Sequence, residues 1–266
     1  ISAGLEVVLS VGAIHTPKVL MQSGIGDEVD LQRHGIPLVQ HLPGVGQNFQ
    51  DHPAIGCIWE YQEPLPPRYN TEATFFWKSN PSLDTPDIQT CQGGFPLAAA
   101  DLLAKYNVPA GSWTMFTGIV RPESRGRIRL TGPNPRDAVQ IETNMMSDPS
   151  DLKAAIAMVQ LCRDIGNSAP LRPFVKREVM PGNLKGAELE NFIRDSVVAY
   201  WHQTCTAKMG RDSMSVVDGK LRVYGIENLR IADGSIMPRV TTGNTMAPCV
   251  IIGERAGEIL KADHKL

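Results

Sequence analysis

The sequence predicts a protein of two lobes, α/β at the two ends of the chain and α+β between them, the middle being a mostly antiparallel sheet flanked by helices. Three observations carry this. A strand followed by a helix is written near the start and again near the end. Between them, short β-type runs separated by Pro/Gly/Asn clusters share the chain with two amphipathic helical patterns. And 266 residues are enough for one large core or two modest ones.

Taken in order, Glu6 to Ser10 reads as a short, mostly apolar strand, turned by Gly12. Thr16 suits a helix N-cap with Pro17 at the first helical position, where a missing N–H is harmless, and Gly24 suits the stop. The run Leu42-Pro43-Gly44-Val45-Gly46-Gln47-Asn48-Phe49-Gln50-Asp51-His52-Pro53 is a loop by composition, expected to carry the chain from one lobe to the other. From about Ala54 to Tyr224 the β-type runs are Ile55–Tyr61, Trp113–Val120 and Arg127–Leu130. Asp151 to Ile165 has helical spacing in Leu152, Ile156 and Val159, and Glu188 to Tyr200 reads as a second helix. Asn228 to Ala232 is then a strand and Met246 to Lys261 a helix. Thr245 is placed to cap it, Pro248 is tolerated in the first turn, and Ile252, Ala256, Ile259 and Leu260 mark the inward face. The lobes are thus expected to be residues 1–50 with 225–266, and residues 51–224.

Composition excludes several classes. Hydrophobic residues make up 42 % and charged residues 20 %, with 24 Gly and 20 Pro, an ordinary globular balance rich in turns. A net charge of −2 offers no basic stripe for nucleic acid and no polybasic membrane patch, and no apolar run is long enough to span a bilayer. The five cysteines, Cys57, Cys91, Cys162, Cys205 and Cys249, are odd in number and form no Cys-x-x-Cys pair, which argues against a disulfide framework or a zinc site and favours a reducing cytoplasm.

Some signals have plain readings. Gly44-x-Gly46 opens like a dinucleotide fingerprint, but Phe49 stands where the third Gly belongs, so it reads as a turn. His15, His34, His41 and His52 lack metal-ligand spacing. His52 reads as a structural hydrogen-bonding residue, Cys205 as a small buried side chain rather than a nucleophile, and Trp59, Trp77 and Trp113 as core.

The chemistry-bearing stretch is Trp201-His202-Gln203-Thr204-Cys205-Thr206, read with Asp233-Gly234-Ser235-Ile236-Met237-Pro238 and with Asn244. An imidazole opening a polar loop is a candidate general base, and an amide opening a helix can hold a substrate oxygen. Two motifs point to one family. Gly12-Ala13-Ile14-His15-Thr16-Pro17 followed by Ser23-Gly24-Ile25-Gly26 matches the second signature of the glucose-methanol-choline (GMC) oxidoreductases. His202-x-x-Cys205-Thr206-x-x-Met209-Gly210 resembles their active-site loop, with Cys205 where the family usually has Gly. The resemblance runs from about Val7 to Leu260.

The resemblance implies the C-terminal half of an FAD-dependent alcohol oxidoreductase. The two ends would be part of an FAD-binding Rossmann-like domain and the middle a substrate-binding domain. His202 would take the hydroxyl proton of a small alcohol and Asn244 would position its oxygen. Because no side chain accepts a hydride, a cofactor is obligatory. Trp201 would flank the flavin or the substrate. Asp233 and Gly234 would approach its ribityl–phosphate region, and the helix opening at Thr245 and Met246 would aim backbone N–H groups at the isoalloxazine. The N-terminal Gly-x-Gly-x-x-Gly turn of the family is missing from this sequence, so the other half of the FAD-binding domain is an expected partner. An FAD-containing hydroxynitrile lyase of the same fold, and a non-catalytic chain that only docks to a partner, are the alternatives.

Overall fold

The computed structural model describes residues 3–63 and 68–265, with only the backbone for 68–72. In chain order its first elements are β1 (Val7–Leu9), α1 (Gly12–Gln22), β2 (Ile25–Gly26), α2 (Glu28–Arg33) and β3 (Gln40–His41). Then come β4 (Pro53–Tyr61), β5 (Arg68–Trp77), β6 (Ile88–Gly94), α3 (Ala100–Lys105), β7 (Ser112–Ile119), β8 (Arg127–Leu130) and β9 (Val139–Glu142). The chain continues with α4 (Pro149–Gly166), β10 (Val175–Met180), α5 (Gly186–Ser196), β11 (Val198–Ala199), β12 (Leu229–Ile231) and α6 (Met246–His264).

These elements form two compact units. The first is built from Ile1–Asp51, Arg125–Asn144 and Trp201–Leu266, the second from His52–Ser124 and Met145–Tyr200. The chain leaves the first unit after Asp51, but it returns earlier than the expected residue 225, and the β8–β9 hairpin belongs to the first unit as well. The reason is packing. Ile128 and Leu130 of the hairpin, and Val216, Val217, Leu221 and Val223 after the return, are buried in one core with Leu20, Met21 and Val45. Alternation along Arg127–Leu130 shows that an apolar face exists, not which core receives it.

In the first unit, β1 and β12 pair in parallel, Val7 opposite Leu229 and Leu9 opposite Ile231. Helix α1 begins at Gly12, so Thr16 and Pro17 lie inside it rather than at its start. Two distant side chains make this possible. Pro17 has no N–H for the Ala13 carbonyl four residues back, and the Thr206 hydroxyl donates to that carbonyl instead, at 2.6 Å. The Gly12 N–H and the Thr16 hydroxyl both donate to Asp233 Oδ2, at 3.0 and 2.6 Å, so the helix is capped from across the unit. Gly24, at φ 80°, ends it as expected. The Gly44–Gly46 turn is a packing device: a Cβ on Gly44 would lie 2.1 Å from the Met214 carbonyl oxygen, and one on Gly46 2.5 Å from that of Ile128.

In the second unit, strands β10-β4-β7-β6-β5 form an antiparallel sheet, with β11 also pairing to β4. One face carries Ile55, Cys57, Trp59, Trp113 and Met115 against Met158, Val159 and Cys162 of α4 and Leu189, Phe192 and Ile193 of α5. Trp59 and Trp113 stack at 4.8 Å, as core residues. Trp77 departs from the expectation: it sits on edge strand β5 and is 56 % exposed. Helix α5 stops at Ser196, not Tyr200, because Val198 and Ala199 leave it to pair with Ala54 and Pro53.

Candidate active site

The His202 loop is shaped by a mismatch in strand register. In the second unit, Val198 and Ala199 pair with Ala54 and Pro53, and the Tyr200 N–H donates to the His52 carbonyl at 3.1 Å. In the first unit, Gln50 and Thr204 exchange backbone hydrogen bonds of 2.9 and 3.2 Å. Between these pairings one segment has the single residue Asp51, and the other has Trp201, His202 and Gln203. The surplus forms a bulge, a feature that re-aims side chains beside active sites. Trp201 takes a left-handed φ of 63° and leaves its side chain 65 % exposed. The next residue turns inward: His202 is buried, and its backbone N–H donates to Asp51 Oδ1 at 2.9 Å. Burial holds the imidazole pKa below its ordinary value.

Cys205 closes the loop at φ 77°, fully buried, its N–H donating to the Gly234 carbonyl at 3.2 Å. A left-handed residue is where Gly fits most easily, which explains what a family Gly does there. Burial pushes the thiol up to about 11, so it is protonated near neutrality and is no nucleophile.

The segment after Cys205 runs along the Asp233–Met237 turn: Ala207 and Met209 N–H groups donate to Ser235 and Ile236 carbonyls, at 2.8 and 2.7 Å. Asp233 is a structural clamp, with Oδ1 accepting the Ser235 N–H at 2.8 Å and Oδ2 holding the start of α1. Gly234 is close-packed within the chain, since a Cβ there would touch Cys249 Sγ and Thr204 Cγ2 at 3.4 Å. The structure thus brings together the His202 loop, the Asp233–Gly234 turn and the first turn of α6, where Cys249 lies.

Asn244 is exposed immediately before α6, after Gly243 at φ 110°. The Thr245 hydroxyl does not cap the helix, contrary to expectation. Its backbone, at φ −85° and ψ −5°, lacks the extended geometry that turns a cap side chain onto the next N–H groups. The first N–H groups of a 19-residue helix therefore have no side-chain cap, and Met246 beside them is 78 % exposed. Such a terminus suits a ligand carrying negative charge.

Sequence reasoning missed Asp51 and Asn48. Asn48, at φ 63°, donates to the carbonyls of Cys205 and Pro238 at 3.3 and 3.1 Å and accepts from Arg125 Nε at 3.1 Å. Their only signal was the polar spacing around Phe49 in a loop otherwise read as a crossover. Among the described residues no three His, Cys, Asp or Glu side chains group as metal ligands, and no helix is long and apolar enough to cross a membrane.

This constellation, a buried imidazole on a bulged loop that meets the same Gly234 turn as the first turn of α6, sits in a chain that two models of the GMC oxidoreductases match, over residues 1–54 and 122–253. The chain belongs to the GMC oxidoreductase family. It is 36 % identical to the mitochondrial choline dehydrogenase of Homo sapiens, over 99 % of this chain and 49 % of that protein. It is also 36 % identical to an alcohol dehydrogenase (acceptor) of Pseudomonas putida, over 96 % of this chain and 51 % of that one. The crystal structure of pyridoxine 4-oxidase from Mesorbium loti superposes with a TM-score of 0.88 at 29 % identity, covering 95 % of this chain and 50 % of that one. The chain spans about half the length of the curated relatives it matches.

Proposed function

We propose that the protein containing this chain is an FAD-dependent alcohol oxidoreductase, in which His202 takes the hydroxyl proton of a small primary or secondary alcohol and Asn244 holds the oxygen. The observation that carries this is the state of His202: an imidazole buried and held below its ordinary pKa is neutral near pH 7 and able to accept a proton. The oxidoreductase names of the relatives support the reading over a lyase. Asn244 carries no titratable group, so its contribution is a hydrogen bond from its amide to the alcohol oxygen.

The residues present fit the flavin. The start of α6, where the Thr245 hydroxyl makes no cap, offers the N–H groups of Thr245 and Met246 to the negatively charged edge of the flavin. The chemistry FAD supplies when bound is acceptance of the hydride from the carbinol carbon. The first unit would hold FAD, with Trp201 beside the flavin or substrate and the Asp233–Gly234 backbone near the ribityl–phosphate region, and the second unit would shape the substrate site. The Gly-rich turn for the pyrophosphate would come from another part of the protein, the expected partner of this chain. The five free cysteines support a reducing compartment such as the cytoplasm.

The test is anaerobic: the complete flavoprotein is mixed with a panel of alcohols and flavin absorbance is followed. Bleaching with aldehyde or ketone formation is expected. No bleaching with any alcohol, or cyanide release from a cyanohydrin, would overturn the reading.

A further inference from the structure

We propose that Asp51 is the positioning residue for His202, acting through the hydrogen bond to its backbone N–H. The inference rests on His202 being the base. In the bulge, Trp201, His202 and Gln203 stand opposite Asp51 alone. Three residues opposite one cannot all find main-chain partners in a strand ladder, and a bulge left to itself has several conformations. Here the buried His202 N–H finds its acceptor in the Asp51 carboxylate, at 2.9 Å.

The geometry upstream makes such a tether useful. Trp201 is in the left-handed region, a backbone conformation that costs a non-glycine residue energy and needs surrounding structure to hold it. Downstream, Gln50 and Thr204 fix the far end of the loop through two backbone bonds. Asp51 therefore pins the one residue of the bulge whose side chain turns inward. It sits on the segment that also supplies Gln50, so tether and bulge share one rigid frame. Because the bond goes to the main chain, what the imidazole needs from Asp51 is an acceptor oxygen in the right place, not a negative charge. The bond to the main chain fixes where the ring stands.

The experiment uses the complete flavoprotein with Asp51→Ala, Asp51→Asn, His202→Ala and the Asp51→Ala/His202→Ala pair, following anaerobic flavin reduction by an alcohol, kcat, KM and the acidic limb of the rate profile. Asp51→Ala should slow reduction by roughly 10²-fold, the effect of an ångström-scale misplacement, with KM changed by less than about threefold. In the His202→Ala background the same substitution should cost nothing further, since Asp51 acts only through that ring. Asp51→Asn, which keeps an acceptor oxygen, should recover most of the rate and leave the acidic limb in place. An additive loss in the double variant would show general structural support and overturn the proposal. A poor Asp51→Asn with a displaced limb would overturn it too, in favour of a charge acting on the ring. A normal Asp51→Ala beside a crippled His202→Ala would remove this proposal alone; a normal His202→Ala would remove the base assignment and this with it. Should Asp51→Ala fail to fold, Asp51→Glu, which moves the acceptor by one methylene, takes its place in the same cycle with the same expected pattern.

Discussion

At His202, burial and chemistry pull the same way. A base must be neutral to accept a proton, and desolvation disfavours the charged imidazolium, so the neutral form persists to lower pH than for an exposed histidine. The acidic limb of kcat/KM should therefore lie below the ordinary histidine value of about 6.5, and a limb above it would contradict the burial. His202→Ala should cut alcohol-dependent flavin reduction by roughly 10²–10⁴-fold, the usual worth of a general base; stopped-flow absorbance checks it, and near-normal kinetics would remove the assignment. Asn244→Ala should lower turnover while leaving that limb where it was, because an amide does not titrate; a limb lost with Asn244 would reverse the two roles. The His202 loop stood out in the sequence because it has a recognisable local motif. Asp51 did not, because its partner is a backbone N–H 151 residues away, and neither spacing nor residue type announces such a pairing. The positive φ of Cys205 was hidden for the same reason: sequence showed an unusual residue, and only the backbone shows what it does there.

Among the elements, α1 shows how tertiary contacts override a local rule. Pro17 should open a helix, yet it sits inside one because Thr206 supplies the hydrogen bond that the ring removes. Thr206→Val should accordingly destabilise the protein by about 2 kcal/mol, the cost of a buried carbonyl left without a donor. In a Pro17→Ala background the loss should shrink, since residue 17 regains an N–H that can reach Ala13. Thermal or denaturant unfolding of the four proteins measures this, and equal losses in both backgrounds would show that the Thr206 bond is not the compensation. Strands β6 and β10 escaped sequence reading for a related reason. Gln89, Thr90, Gln92, Lys176, Arg177 and Glu178 look like loop residues, but backbone pairing in a broad sheet tolerates them: Thr90 hydrogen-bonds Thr117, while Lys176 and Arg177 pair with Glu60. Within that sheet the strands that were legible, β4 and β7, are the ones buried along nearly their whole length.

For the whole molecule, the first unit depends on joining segments from opposite ends of the sequence. Arg230 of β12, buried to 4 % exposure, pairs with Glu6 and with Asp263 of α6, and His264 also reaches Glu6. Glu6→Ala removes one of the two carboxylates that hold the buried Arg230 and leaves it Asp263, so it should cost about 1–3 kcal/mol in unfolding experiments; a loss within experimental error would mean that Asp263 alone compensates the charge. Burial raises the Glu6 pKa, but the hydrogen bonds from Arg230 and His264 outweigh it and hold the carboxyl below its ordinary 4.5. The folded value being the lower one, this stabilisation is complete above that pH and is lost as pH falls through the folded pKa, so the substitution should flatten the acid end of the Tm profile. The same unit leaves Val7 and Val8 of β1 and Val250 and Ile251 of α6 exposed. The isolated chain should therefore bind FAD poorly, having no pyrophosphate turn, and should self-associate; tight stoichiometric binding in a fluorescence titration would contradict this. The interleaving of the two units also has a consequence for biosynthesis. On the ribosome the second unit can close as soon as Tyr200 has emerged, while β1, made before it, cannot pair with β12 until Leu229 follows. For that interval the apolar strand β1 waits with its β12-facing edge open, which makes this segment a natural client of a holding chaperone and a place where slow elongation or heat would divert the nascent chain into aggregates.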